Sequence, residues 1–87
     1  MIKEQIKINN ETGLHARPAT EISKTAMKYP CEVNIIFNGK TISAKSPLMI
    51  MAAGIKSKTE IEISCNGEGE EKALEEIKEI IENQIGD

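Results

Sequence analysis

The dipeptide Asn38-Gly39 constrains this chain more than any other feature in it. It stands between Val33, Ile35 and Phe37 on one side and Thr41-Ile42-Ser43 on the other. Both central residues of a two-residue hairpin turn need positive φ, which Asn and Gly adopt at low cost, so two strands must fold back on each other here. A hairpin with one apolar face is not stable alone; it needs further strands beside it and an apolar layer over it. The rest of the chain supplies both. Ile2, Ile6 and Ile8 share a parity against Lys3, Gln5 and Lys7, which predicts a first strand with its apolar side inward. Ile61, Ile63 and Cys65 alternate with Glu60, Glu62 and Ser64, predicting a last strand in which Cys65 is a small, inert core residue.

The covering layer is helical. Ala19, Ile22, Ala26 and Met27 fall on one side of a helix over residues 16–28, which Tyr29-Pro30 ends. Ser46-Pro47 opens a short helix that Gly54 closes, because Ser caps and Pro suits the first helical position. Ala73, Leu74, Ile77, Ile80, Ile81 and Ile85 form the stripe of a final helix from about Glu70 to Gln84, with Gly86 beyond its end. The order is strand, helix, strand, strand, helix, strand, helix. It predicts an α+β fold: an antiparallel sheet with helices on one face.

Length and charge narrow the function. With 87 residues and no repeat or linker, one domain over 1–87 is expected, and its core is limited. Residues 1–67 carry nine Lys+Arg and six Glu, a net of +3; residues 68–87 carry Lys72 and Lys78 against seven Glu and Asp87, a net of −6. The acidic run reads as a solvated helix face. A net charge of −3 with only Tyr29 and Phe37 aromatic argues against a nucleic-acid surface. No apolar run suits membrane insertion, and no signal segment is visible. Cys31 and Cys65 lack metal-ligand spacing and fit a reduced cytoplasm; with a single histidine, no metal or cofactor is expected.

The chemistry-bearing segment is Asn10-Glu11-Thr12-Gly13-Leu14-His15-Ala16-Arg17-Pro18-Ala19. It contains the only histidine and the only arginine of the chain, two positions apart. His15 falls at or near a helix N-cap, where the backbone N–H groups of Ala16 and Arg17 lack helical partners and Pro18 offers none. Such an end attracts anions, above all phosphate, and the Arg17 guanidinium can bind one through two parallel hydrogen bonds. An imidazole in that positive field stays neutral and nucleophilic near pH 7. Read from the residues alone, the segment is either a polar loop or a phosphate or phosphoryl site, with no donor named.

Gly13-Leu14-His15-Ala16-Arg17-Pro18-Ala19 resembles the active-site motif of HPr, the histidine-containing phosphocarrier family of the bacterial phosphoenolpyruvate:sugar phosphotransferase system. The resemblance extends over the chain: the length, the element order, the Asn38-Gly39 turn, Lys45-Ser46 before a Met-containing helix, and the acidic last helix. It implies an open-faced β-sandwich, a four-stranded antiparallel sheet with three helices on one side (βαββαβα). It also implies a monomeric carrier rather than an enzyme. His15 would take a phosphoryl group on its ring Nδ1 from phospho-enzyme I, with Arg17 and the backbone of Ala16 and Arg17 steadying it, and pass it to the IIA domain of a sugar permease. A regulatory HPr-like protein and an accessory paralogue with other partners are the alternatives; keeping both His15 and Arg17 favours the carrier.

Ser46 carries a second implication. A helix cap suffices to explain it, yet family members from low-GC Gram-positive bacteria use the matching serine as the target of an ATP-dependent HPr kinase/phosphorylase. That modification hinders enzyme I and favours a catabolite control protein. Pro47 and Met49 depart from the family, which usually has a branched apolar residue and often a glycine there. Pro47 through Ile55 contains no charge, so either these side chains are core or some, taken as Pro47, Leu48, Met49 and Met51, stay exposed as a docking patch.

Overall fold

In the computed structural model, residues 1–8, 13, 14 and 16–83 are described. The elements are β1 (Ile2–Lys7), α1 (Ala16–Met27), β2 (Glu32–Phe37), β3 (Lys40–Ser43), α2 (Pro47–Ala52), β4 (Glu60–Asn66) and α3 (Glu70–Asn83). The hairpin forms where Asn-Gly requires it: Asn38 has φ 53° and Gly39 φ 78°, and Phe37 pairs with Lys40 across the turn. The other two strands complete one antiparallel sheet in the order β1-β4-β2-β3.

Register decides which face is apolar. Ile63 lies opposite Ile35, and Ile35 opposite Ile42, a row of isoleucines across three strands. Val33 faces Cys65, which faces Ile2, and Ile6 faces Ile61. All of these are buried except Ile2, which is partly covered. Of their neighbours of opposite parity, Lys3, Gln5, Glu32, Thr41 and Glu60 are exposed, Asn34, Ile36, Ser43 and Glu62 half-buried, and Ser64 of the central strand is buried. The three helices lie on the apolar side, so the sheet is the open face of an α+β sandwich. Each buried isoleucine there contributes roughly 1.5–3 kcal/mol. Both cysteines are free and buried, and burial pushes the Cys65 thiol up to about 11, away from reactivity.

One expectation changes. Met27 is 59% exposed instead of sharing the inward side with Ala19, Ile22 and Ala26. At about 100° per residue it stands roughly 80° from Ala19, whereas Ile22, Ala26, Pro18 and Thr25 extend the buried arc the other way. Glu4, in contrast, shares the apolar parity of β1 and is half-buried; it ends the isoleucine row opposite Ile63 and ion-pairs with Lys78 of α3, which raises the Lys78 pKa. The expected end of the α3 stripe, Gln84 to Gly86, lies outside the described residues. No helix among the described residues is long and apolar enough to cross a membrane.

The end of α1 is tied to α3 by Tyr29, whose hydroxyl donates to Glu76 while Lys28 Nζ lies 3.2 Å from the same carboxylate. The bond holds the phenol protonated and raises its pKa to about 12; the same bond, then Lys28, lowers that of Glu76. The phenol's contribution to stability is therefore intact below about pH 10 and lost as pH rises toward 12, while that of Glu76 is lost in acid. With one tyrosine and no tryptophan, ultraviolet titration should place the native phenol near 12 rather than at the ordinary 10.0, and Glu76→Gln should bring it back down.

Candidate functional site

The motif approaches α1 through Gly13 and Leu14. Gly13 has φ 70°, a conformation that suits glycine, and Leu14 is buried and donates its N–H to the Ile55 carbonyl at 3.0 Å. α1 then begins at Ala16, with Ala16 and Arg17 exposed and Pro18 and Ala19 buried. The turn is thus split: one side anchors to the core, and on the other Ala16 and Arg17 are exposed. No acidic residue stands in the first turn of α1 to cancel the positive end of the helix. Thr20 returns its hydroxyl to the Ala16 carbonyl at 2.7 Å, leaving the helix start free of that side chain. His15 itself, with residues 9–12, lies outside the described residues.

Ser46 is the N-cap of α2. Its backbone is extended (φ −114°, ψ 108°), and its Oγ accepts the Met49 N–H at 3.3 Å, with Pro47 at the first turn. The stretch before it is held firmly. Ser23 of α1 donates to the Lys45 carbonyl at 2.8 Å, and Lys45 Nζ donates to the Tyr29 carbonyl at 3.0 Å. Sequence periodicity could not reveal these ties, since both donors belong to elements far along the chain from their acceptors.

The uncharged run divides as its two alternatives allowed. Ile50 and Ile55 are core, whereas Leu48, Met49 and Met51 are 75%, 48% and 36% exposed and Pro47 is half-buried. Beside them, Phe37, Lys40, Ile42 and Ala52 line a shallow depression of about 270 Å³ between α2 and the hairpin, a feature absent from the sequence reading. Among the described residues no group of three or more His, Cys, Asp or Glu is placed to hold a metal.

Residues 2–83 match the family described as "PTS HPr component phosphorylation site". The chain belongs to the HPr family. It is 41% identical over 81 residues to the phosphocarrier protein HPr of Buchnera aphidicola from Acyrthosiphon pisum, covering 93% of this chain and 95% of that one. HPr-C-His from Thermoanaerobacter tengcongensis superposes with a TM-score of 0.90 at 35% identity, over 94% of this chain and 92% of that one. The catabolite-repression protein Crh of Bacillus subtilis, described as a swapped dimer, aligns over 100% of both chains with a TM-score of 0.76 at 28% identity. The sandwich that HPr members share is therefore present with its seven elements, and the chain is a phosphocarrier of the phosphotransferase system in kind.

Because Ser46 makes one cap bond to a short helix, Ser46→Ala should cost about 0.5–2 kcal/mol in urea unfolding, and Ser46→Asp should recover most of it.

Proposed function

We propose that His15 of this chain accepts a phosphoryl group from phospho-enzyme I and passes it to the IIA domain of a sugar permease in the cytoplasm, as a carrier and not as an enzyme. The observation that carries the reading is the placement of Gly13-Leu14 and Ala16-Arg17 around that position. The segment before it is anchored to Ile55, and the helix after it opens with an exposed arginine and no acid. In the transfer, a ring nitrogen of neutral His15 forms a bond to phosphorus while the donor's bond to phosphorus breaks and its electron pair leaves with the donor. Arg17 and the N–H groups of Ala16 and Arg17 stabilise the charge on the phosphoryl oxygens. Leu48, Met49 and Met51 offer an apolar contact surface for both partners, and flexible methionine suits a face that meets more than one. The carrier works as a monomer and needs no cofactor. Incubation with phosphoenolpyruvate and enzyme I should give acid-labile, base-stable label on the wild type and none on His15→Ala. Label surviving that substitution would overturn the assignment.

A second role at Ser46 is supported by its capping geometry. Phosphorylation keeps the oxygen that accepts from Met49 and adds acceptors and negative charge at the start of α2, so the helix survives while its uncharged docking face gains a negative group. HPr kinase/phosphorylase with ATP should then add acid-stable label that Ser46→Ala removes, and the modified protein should favour a catabolite control protein over enzyme I. Unlabelled wild type would leave Ser46 as a cap only.

A further inference from the structure

Both ends of the segment that leads from β1 to the motif are held by the same short stretch, Ile55 to Thr59. At one end Ile8 donates to the Thr59 carbonyl at 2.8 Å and accepts from the Lys58 N–H; at the other, Leu14 donates to the Ile55 carbonyl at 3.0 Å. Lys58 turns to a left-handed φ of 64°, unusual for a residue with a side chain, and from there donates to Ile8. Ile55 is buried three residues past the end of α2 and Thr59 runs directly into β4, so the stretch spans the gap between two elements.

Gly13 closes against this stretch so tightly that no side chain fits. A Cβ at position 13 would lie 2.4 Å from the Ile55 carbonyl oxygen and 2.8 Å from the Lys56 Cα, and both obstacles are backbone. We propose that Gly13 is a positioning residue for phosphoryl transfer, acting through the Ile55–Lys56 backbone that holds the segment entering His15. The proposal rests on the reading of His15 as the acceptor.

The consequence of a Cβ follows from what can yield. Ile55–Lys56 runs between α2 and β4 with Ile55 buried, so the strain of a methyl group at position 13 falls on Gly13-Leu14, and with them on the residue that follows. Relieving a 2.4 Å contact to ordinary van der Waals distance needs about 1 Å, and misplacing a reacting group by that much costs on the order of a hundredfold in rate. Docking is spared, because Leu48, Met49 and Met51 are untouched.

Gly39 supplies the control: its φ is 78°, yet a Cβ there meets nothing within 4 Å. Gly39→Ala therefore imposes left-handed strain without the collision. Gly13→Ala should lower the rate constant of transfer from phospho-enzyme I roughly a hundredfold with little change in KM. It should also shift the titration of the chain's single imidazole, read by NMR, while Gly39→Ala leaves both unchanged. Transfer by Gly13→Ala within about twofold of wild type, or equal slowing in both variants, would overturn the proposal. Should Gly13→Ala not fold, a backbone ester at Leu14 removes the N–H that reaches Ile55 and keeps every side chain; at least tenfold slower transfer is expected, and a wild-type rate overturns the proposal. Wild type that takes no label on His15 is a separate result: it overturns the carrier reading and this one with it.

Discussion

The ladders that β4 makes on both its edges are the contact on which the rest of this molecule depends. β4 pairs with β1 along Ile2–Lys7 and with β2 along Glu32–Ile36, so it joins the two halves of the chain into one sheet. It also brings Ile61, Ile63 and Cys65 into the centre of the apolar face, on which α3 packs directly, while α2 packs on β3 and α1 against the other two helices. Shifting β4 by one residue would turn that set outward and expose Glu60 and Glu62 to the core. The stretch just before β4 is the one that grips Ile8 and Leu14, so the sheet's central strand and the motif's anchor are continuous chain.

A domain this small has one apolar face to cover and a limited core with which to do it. α1 and α3 use amphipathic stripes for this purpose, and α2 buries only Ile50. What remains of α2 is therefore apolar and outward, a surface whose exposure is tolerated because the helix is capped at Ser46 and tied at both ends. At the start of α1, Ala16 and Arg17 are exposed while Pro18 and Ala19 join the core, so a single turn serves both the surface and the packing.

Parity and turn chemistry made the elements legible, because each is a local property. Asn38-Gly39, the alternation around Ile63 and the stripe around Ile77 name their structures within a few residues, and the strands and helices follow them closely. Met27 falls just beyond the edge of the buried arc, a limit set by how α1 packs on α2 and α3 and not by spacing along α1. Glu4 combines a parity that calls for burial with a charge that calls for solvent; Lys78, distant in sequence, reconciles them. The anchoring of Leu14 to Ile55 and of Ser23 to Lys45 has no periodic signature at all. Gly13 came closest to announcing itself, yet a glycine before a helix is commonplace. Only the backbone 2.4 Å from its missing Cβ distinguishes this one.

The departures at Pro47 and Met49 are resolved by asking which backbone groups the cap uses. Ser46 Oγ accepts from Met49, and the Ser46 carbonyl from Ile50, so neither bond involves position 47. The N–H that proline removes is among the first-turn donors that find no helical acceptor in any case. Met49 donates through its backbone, which a change of side chain leaves in place. Both departures therefore alter the face that a partner reads while the device that holds Ser46 at the helix start is preserved. The cap and the exposed face beside it can vary independently in this fold, since one depends on the Ser46 hydroxyl and main-chain atoms and the other on the side chains of Pro47, Leu48, Met49 and Met51.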